Sequence, residues 1–219
     1  MIIVNFKTYR QALGKGALRL ALLCEKVSKK SGISIAVAPQ SVDLRAIAAR
    51  VDIPVLAQTA DPVGFGAHTG ALIPQAILDS GANGALINHS ERPVPLSNIE
   101  ELVKMFKKLG LISIVCAGSA RAESRLLGFS PDLLAIEPPE LIGGKVSVSK
   151  ARPDLIEKSV KRAGSVPVLC GAGVHTEKDV SAALKLGARG VLVASGVVKA
   201  RNPEQALQSL ARGFHKARE

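Results

Sequence analysis

Residues 84–117 read GALINHSERPVPLSNIEELVKMFKKLGLISIVCA, and this stretch contains a complete strand–helix–strand pattern. A short apolar run, Gly84–Asn88, is followed by a segment with apolar residues at helical spacing, Ser97–Leu109, and then by a second apolar run, Leu111–Cys116. Apolar runs without polar alternation are typical of strands buried on both faces, and a helix between two such strands favours parallel pairing. The stretch therefore predicts a parallel sheet covered by helices.

Local signals mark both ends of the helix in this stretch. Ser97-Asn98-Ile99-Glu100 fits a capping box, in which the serine side chain accepts from the third helical N–H and the glutamate reaches back. Gly110 stands where the helix should end, because glycine tolerates the left-handed conformation that is needed there. We therefore expect a helix with a serine cap and a glycine stop.

The same unit repeats along the chain, with no linker or low-complexity segment between copies. The predicted strands are Ile2–Phe6, Ile33–Ala38, Ile53–Gln58, Gly84–Asn88, Leu111–Cys116, Leu133–Glu137, Pro167–Cys170 and Gly190–Ala194. The predicted helices are Gly16–Lys30, Val42–Arg50, Pro74–Ser80, Ser97–Leu109, Ala120–Leu127, Pro153–Arg162, Thr176–Leu186 and Pro203–Ala217. Eight such units match a closed (β/α)₈ barrel, whereas an open doubly wound sheet usually has about five or six strands. We expect a single α/β domain, residues 1–219, with eight parallel strands and short outer helices.

Composition narrows the classes of function. Aromatic residues make up 3% of the chain and Trp is absent, so the core must be built from Ala, Val, Ile and Leu. The 29 Lys and Arg residues outnumber the 18 Asp and Glu residues, which gives a net charge of +11. The basic residues are spread over many predicted helices, and few aromatics are present to stack unpaired bases, so a field that attracts a small anionic substrate is favoured over nucleic-acid binding. A basic barrel that binds nucleic acid or protein without catalysis is the alternative, and it predicts steeply salt-dependent binding.

Cysteines and apolar runs indicate the compartment. Cys24, Cys116 and Cys170 are odd in number and far apart, which favours a reducing environment over a disulfide framework. No run approaches the roughly 18 apolar residues of a membrane span, and the first apolar run is broken by Lys7. The histidines show no pair at ligand spacing. We expect a cytoplasmic protein with no metal site, no membrane association and no nucleic-acid partner.

Polar side chains follow three of the predicted strands. Asn5 and Lys7 stand at the end of the first strand, His89 and Glu91 follow the fourth, and Glu137 ends the sixth. In an α/β barrel the loops after the strands build the active site. A capped turn would explain the histidine alone, and an ordinary rim carboxylate would explain Glu137 alone. Loop capping does not require a base, a cation and a histidine at three separate strand ends, so we interpret the set as catalytic.

In combination these motifs resemble the triosephosphate isomerase family, and the resemblance runs through the whole chain in order. It rests on Asn5-x-Lys7, Asn88-His89-Ser90-Glu91-Arg92, Ile136-Glu137-Pro138, the lid-like Pro138–Gly144, Cys170-Gly171-Ala172-Gly173 and Gly190–Gly196. The short length resembles the compact archaeal members. The chain departs from the common pattern at Thr59, where asparagine is usual, at Pro139-Glu140-Leu141, where the lid usually carries a tryptophan, at Gly173, where many members have serine, and at Ala194-Ser195, where they have two glycines.

The resemblance implies interconversion of dihydroxyacetone phosphate and D-glyceraldehyde 3-phosphate through an enediolate, without a cofactor. Glu137 would act as the base, His89 as the electrophile and Lys7 as the electrostatic stabiliser, with Asn5 adding a dipole. Glu91 is expected to pair with Lys7 and orient it, and direct proton shuttling by Glu91 is the alternative.

The substrate phosphate is expected at the ends of the seventh and eighth strands. Gly173, Ala194 and Ser195 would present backbone N–H groups there, with a short helix following. Ile142 and Gly143 of the lid-like segment would add a further N–H and exclude water. Glycine-rich turns are also common loop punctuation, and another phosphate-binding barrel, such as a ribose-phosphate isomerase or synthase, is the closest rival. Those families lack the combined motifs around Lys7, His89 and Glu137.

The segment Gly64–Gly70 resembles the protruding third loop of the family. In relatives this loop inserts beside the catalytic lysine and histidine of a neighbouring subunit, and Thr69 matches the residue that reaches across. We therefore expect a homo-oligomer, with a tetramer favoured over a dimer because the compact archaeal members tend to be tetramers.

Overall fold

The computed structural model describes residues 1–141, 144 and 147–217, and it contains an eight-stranded parallel sheet. The strands are β1 (Ile2–Asn5), β2 (Ile35–Ala38), β3 (Leu56–Ala57), β4 (Gly84–Ile87), β5 (Ile112–Ala117), β6 (Leu133–Ile136), β7 (Val168–Cys170) and β8 (Gly190–Val193). Their order is β2-β1-β8-β7-β6-β5-β4-β3. The two outer strands of this order meet through a parallel bridge between Val37 and Val55. The predicted (β/α)₈ barrel is therefore confirmed. It closes between β2 and β3 through this isolated bridge.

Helices cover the outside of the barrel. They are α1 (Lys15–Ser31), α2 (Leu44–Ala48), α3 (Pro74–Asp79), α4 (Leu96–Leu109), α5 (Ala120–Leu127), α6 (Val148–Ala151), α7 (Pro153–Ala163), α8 (Glu177–Lys185), α9 (Ser195–Val198) and α10 (Pro203–Lys216). Each helix predicted from apolar spacing is present, and its ends lie within about two residues of the prediction. In the described part of the chain, no helix is both long and apolar enough to cross a membrane.

Side chains of the strands pack on both faces of the sheet, which explains why the strand sequences show no polar alternation. The barrel interior is filled by Ile3, Ala36, Ala38, Leu56, Leu86, Ile114, Cys116, Ala135, Leu169 and Leu192. The intervening residues point outward into a larger apolar layer beneath the helices, in which Phe6 and Phe106 are among the largest fully buried side chains. A packed interior leaves the chemistry to the ends of the strands.

The predicted capping box at Ser97 is wrong. Helix α4 begins one residue earlier, with Pro95 in the N-cap position and no side chain capping it, and the Ser97 hydroxyl contacts the Asn98 side-chain oxygen at 3.4 Å instead. The reason is the preceding proline, which holds an extended backbone (φ −55°, ψ 147°) and lets the helix start directly after it. Ser97 therefore falls inside the first turn, where it cannot serve as the cap.

Two strands end where the backbone enters the left-handed region. Asn88 has φ 61°, which ends β4 at Ile87, and Lys7 has φ 47° two residues after β1 ends. Such values are uncommon outside glycine and cost about 1–3 kcal/mol where the surroundings enforce them. Both occur directly beside the polar motifs, so the strained positions mark the end of the barrel that holds the candidate site.

Candidate active site

A cavity opens at the carboxyl end of the strands and collects polar residues from distant parts of the chain. It is lined by Asn5, Lys7, His89, Glu137, Gly173, Ala194 and Ser195, together with Tyr9, Gly171, Val174, His175, Leu192, Val193 and Gly196. The first seven of these residues are the described ones for which the sequence predicts a catalytic or substrate-binding role. Ile142 and Gly143, which were assigned to phosphate binding, lie outside the described residues.

The left-handed backbone at Lys7 is held by two side chains. Asn5 Oδ1 accepts from the Lys7 N–H at 3.0 Å, and Gln58 Nε2 donates to the Lys7 carbonyl at 3.0 Å. Gln58 also donates to the Ala38 carbonyl at 2.9 Å, so it ties the end of β2 to Lys7, two residues after β1. These bonds direct the largely buried Lys7 side chain into the cavity, where its Nζ donates to Glu91 Oε1 at 2.7 Å.

The protonation of His89 follows from its partners. Its Nδ1 accepts a hydrogen bond from the Glu91 backbone N–H at 3.1 Å, so the proton of the neutral ring must lie on Nε2. Burial lowers the pKa of His89, and the positive charge of Lys7 lowers it further, whereas Glu91 raises it. The ring is therefore neutral near pH 7 and presents an Nε2–H donor to the cavity.

Asn88 fixes the turn that carries His89. Its Nδ2 donates to the Cys116 carbonyl at 3.0 Å, and its Oδ1 accepts from the Val94 N–H at 3.1 Å. The Arg92 N–H then closes a tight turn on the His89 carbonyl at 2.7 Å. Asparagine adopts the required left-handed backbone more readily than most residues, and its side chain supplies both bonds at once.

Glu137 follows β6 directly and is almost completely buried, with 3% of the residue exposed. Burial raises the pKa of Glu137 to about 7, although the Cys116 thiol and the positive charge of Lys7 both lower it. Its Oε1 lies 3.5 Å from His89 Nε2, and its Oε2 is buried without a hydrogen-bond partner. A buried carboxylate with an unpaired oxygen is a stronger base than an ordinary glutamate side chain and can accept a proton.

Gly171, the first residue after β7, leaves room for the Glu137 carboxylate because it has no side chain. A Cβ placed on Gly171 would lie 2.5 Å from Glu137 Cγ and 3.0 Å from its Cδ. Real Cβ atoms do not approach carbon so closely, so any larger residue would displace the base. The glycine was expected from the loop pattern, but its contact with Glu137 was not.

The opposite end of the cavity is made of main chain. Gly173 has φ 66°, and Ala194 leaves β8 with an irregular backbone (φ −138°, ψ −93°) before α9 begins at Ser195. The first N–H groups of a helix have no partner within it, so those of Ser195 and Gly196 are available to an anion. The end of the cavity beside β7 and β8 is thus suited to a phosphate group.

Comparison with known proteins agrees with this geometry. A sequence profile described as triosephosphate isomerase matches residues 1–211. The chain belongs to the triosephosphate isomerase family. A protein of that name from Methanocaldococcus jannaschii is 49% identical over 214 residues, which cover 96% of this chain and 98% of the relative. Proteins of the same name from Archaeoglobus fulgidus and Methanothermus fervidus are 46% and 44% identical, each over 96% of both chains.

All residues of the third loop, Gly64–Gly70, of this triosephosphate isomerase family member are exposed to solvent. Thr69 is exposed, and Phe65 at the same loop is 81% exposed. Arg92 approaches Asp61 at the base of the loop, with 3.8 Å between the guanidinium and the carboxylate. A second cavity adjoins the site on the side of Lys7 and is lined by Gln58, Thr59, Glu91 and Arg92 among others.

Sequence reasoning missed residues that act through the main chain. Gln58 ends a predicted strand, and this position was a usable signal because three other strand ends carried polar side chains. Gly171 and His175 lie in a glycine-rich turn, where the sequence alone does not show which contact each residue makes.

In the described residues no group of three or more metal-ligating side chains comes together, and Cys24, Cys116 and Cys170 are free and buried.

Proposed function

We propose that the chain interconverts dihydroxyacetone phosphate and D-glyceraldehyde 3-phosphate through an enediolate. The observation that carries the proposal is the pairing of a buried carboxylate, Glu137, with a neutral histidine donor, His89, across 3.5 Å in one cavity. Family membership supports the same reaction, since the similar proteins from three archaea bear the name triosephosphate isomerase.

Glu137 is the base in this proposal. Its carboxylate takes a proton from the hydroxyl-bearing carbon beside the carbonyl, the C–H electron pair forms the carbon–carbon double bond, and the carbonyl π pair moves onto its oxygen to give the enediolate. A proton then passes from the former hydroxyl oxygen to the former carbonyl oxygen. Protonated Glu137 returns its proton to the neighbouring carbon as the former hydroxyl-bearing carbon becomes the new carbonyl. With its pKa raised by burial to about 7, the carboxylate is a stronger base than an ordinary glutamate and is still substantially ionised near neutral pH. Positioned proton transfer of this kind contributes about 10²–10⁴ in rate.

His89 and Lys7 meet the negative charge that develops on the substrate oxygens. The Nε2–H of the neutral ring is oriented by the Glu91 N–H on the other nitrogen, so no reorganisation is needed as the reaction proceeds. Lys7 adds a positive charge that is fixed by Glu91 at 2.7 Å. Removing one such donor typically costs about 10²–10³ in rate.

The phosphate group of the substrate is assigned to the main-chain end of the cavity. Gly173, Ala194 and Ser195 line that end, and their backbone N–H groups supply donors without adding bulk. Ile142 and Gly143 would contribute from the segment after β6, as the family resemblance implies. The excess of basic residues favours the approach of an anionic substrate.

A homo-oligomer, with a tetramer favoured over a dimer, forms part of the proposal. Exposed Phe65 and Thr69 in the third loop, and the open cavity beside Lys7, support an interface in which the loop of one subunit enters the cavity of another. Light scattering on the purified protein gives the mass. Thr69→Arg should reduce the assembly size, and an unchanged assembly would contradict the assignment of this loop to an interface.

The remaining proposals concern organisation and location. We propose that residues 1–219 act as one domain, because a single sheet order joins the first strand to the eighth. Three free, buried cysteines support a reducing compartment such as the cytoplasm.

A coupled assay tests the reaction. Purified protein is mixed with glyceraldehyde 3-phosphate, glycerol-3-phosphate dehydrogenase and NADH, and the loss of NADH reports dihydroxyacetone phosphate. Glu137→Asp and His89→Gln are compared with Glu157→Asp and His215→Gln, whose side chains are exposed on α7 and α10. The two site variants should lose about 10²-fold or more of kcat, and the two surface variants should not change.

Each other outcome has a defined meaning. Activity that survives both site variants would reveal a contaminating isomerase and refute the assignment of Glu137 and His89. A folded wild-type protein without turnover would refute the proposed reaction and bring another phosphate-binding barrel forward. Expression in a host that lacks its own triosephosphate isomerase prevents contamination of the purified protein by a host isomerase.

A further inference from the structure

His175 follows β7 by five residues and makes a hydrogen bond that no sequence motif indicated. Its Nε2 lies 2.9 Å from the carbonyl oxygen of Gly144, which belongs to the segment between β6 and α6. A carbonyl oxygen only accepts, so Nε2 must carry the proton and donate it. The side chain thereby links the loop after β7 to the segment after β6.

The same ring packs against the turn that follows β8. A Cβ placed on Gly196 would lie 2.7 Å from His175 Nδ1 and 3.4 Å from its Cε1, so the ring rests directly on the Gly196 backbone. Gly196 follows Ser195 at the start of α9, where the phosphate donors are assigned. One imidazole therefore contacts segments from three successive strand ends, after β6, β7 and β8, and it also lines the cavity itself.

The backbone of His175 is fixed by Asp179 in α8. The Asp179 Oδ2 accepts from the His175 N–H at 3.1 Å and from the Thr176 N–H at 2.9 Å. The same carboxylate accepts from Lys150 Nζ at 2.7 Å and from the Ser147 hydroxyl at 3.1 Å, both on or next to α6. Asp179 thus ties the loop after β7 to the residues on and next to α6. This tie is additional to the hydrogen bond that the His175 ring makes to Gly144.

We propose that His175 is a positioning residue that fixes the phosphate end of the cavity: its ring, held by the hydrogen bond to Gly144, supports the Gly196 turn. This inference rests on the proposed function, because it assigns the phosphate to that end. The ring itself need not touch the substrate. Its contribution is the hydrogen bond to Gly144 together with its contact on Gly196, which hold the Gly196 turn in place beside the main-chain N–H groups assigned to the phosphate.

The inference predicts a loss confined to phosphate recognition. A neutral hydrogen bond contributes a modest net free energy, so removing the donor should raise KM and the inhibition constant for inorganic phosphate by about 3- to 10-fold. The kcat should stay within about twofold, because a group that binds substrate and transition state equally affects KM alone. A role in general stability would not separate the two constants in this way.

Three variants make the test specific. His175→Leu fills similar volume without a donor, whereas His175→Gln places an amide N–H close to the position of Nε2. His215→Leu, on the exposed face of α10, is the matched control. The readouts are kcat, KM, inhibition by inorganic phosphate, and the dissociation constant of inorganic phosphate from calorimetry.

The expected pattern is weaker phosphate binding in His175→Leu, near wild-type values in His175→Gln, and no change in His215→Leu. Wild-type phosphate binding in His175→Leu, or an equal loss in His175→Leu and His175→Gln, would overturn the inference. If His175→Leu does not fold, His175→Ala takes its place, since it also lacks the donor. Calorimetry decides the result even if the wild-type protein has no isomerase activity, so the two proposals fail separately.

Discussion

Replacing Glu137 by glutamine is expected to stabilise the fold while it abolishes turnover. The ionised carboxylate is disfavoured in the folded protein, because burial raises the pKa of Glu137 from 4.5 to about 7. Glutamine has nearly the same shape and carries no charge, so it removes this penalty without opening a cavity. The residue that we propose as the base is thus a position where function opposes stability.

The magnitude and its pH dependence follow from that shift. At 1.36 kcal/mol per pKa unit, raising the pKa from 4.5 to about 7 corresponds to about 3 kcal/mol. Below pH 4.5 the group is protonated in both the folded and the unfolded state, and no penalty exists. As the pH rises the unfolded chain ionises first, so the penalty grows up to pH 7 and is constant above it. For a chain of 219 residues, about 3 kcal/mol corresponds to a rise in Tm of about 6–12 °C.

Urea unfolding followed by circular dichroism measures the effect at about pH 5 and about pH 8. Glu137→Gln should exceed the wild-type free energy of unfolding by about 3 kcal/mol at the higher pH and by less than about 1 kcal/mol at the lower. Glu157→Gln on the exposed face of α7 controls for the loss of a surface charge. Equal differences at both pH values, or no gain at the higher pH, would refute the explanation of the Glu137 pKa by burial.

Other positions give shorter predictions. Gly171→Ala should lower kcat by about 10²-fold, because its Cβ would lie 2.5 Å from Glu137 Cγ and displace the base; a normal kcat in steady-state kinetics would contradict this contact. Glu91→Gln should lower kcat/KM by about tenfold through the freed Lys7 and change the unfolding free energy by less than about 1 kcal/mol, since the Glu91 side chain is 57% exposed. Burial raises the pKa of Asp179, but its hydrogen bonds outweigh this effect and lower it to about 2. The stability it contributes is therefore present above pH 3.8 and lost as the pH falls through 2, so Asp179→Asn should be destabilised in urea at pH 7 and much less so near pH 2.

The barrel could be predicted from the sequence because each strand is buried on both faces. Runs such as Ile2–Phe6 and Gly84–Asn88 therefore contain no polar residue until the strand ends. The least accurate prediction was the third strand, expected at Ile53–Gln58 and found at Leu56–Ala57. Proline at position 54 has no N–H to donate, so the chain there makes only an isolated bridge through Val55.

Helix caps were less predictable than strands. The capping-box sequence pattern occurs both at a helix start whose side chains form the box and at one whose side chains do not. The capping box lies at Thr176, whose side chain accepts from the Asp179 N–H at 3.3 Å while Asp179 reaches back to the Thr176 N–H at 2.9 Å. The equivalent pattern at Ser97 is displaced by Pro95. A proline two residues before a candidate cap was the signal that should have decided between them.

The residues proposed to react were easier to single out from the sequence than the residues that hold them in place. Lys7, His89 and Glu137 carry charged or titratable side chains directly after apolar strands, where their position alone is informative. Gln58 and His175 act by bonding to main-chain carbonyls of segments that are distant in sequence. Those contacts depend on how the strand ends are arranged around the barrel, which the spacing of residues in one chain does not specify.

Burial at the strand ends shifts the pKa values of Glu137 and His89, the two titratable groups assigned to the proposed reaction, in the directions that this reaction needs. It raises the pKa of Glu137 and lowers the pKa of His89, and the positive charge of Lys7 lowers both. A base of moderate strength and a neutral donor thus coexist at 3.5 Å, where two fully charged groups would form an ion pair and neither would be free to react. Gly171 and Cys116 allow this burial because they are small enough to pack against the carboxylate while offering at most one weak donor. The burial of the proposed base therefore depends on small side chains that pack against it, and the spacing of residues in the sequence does not show those contacts.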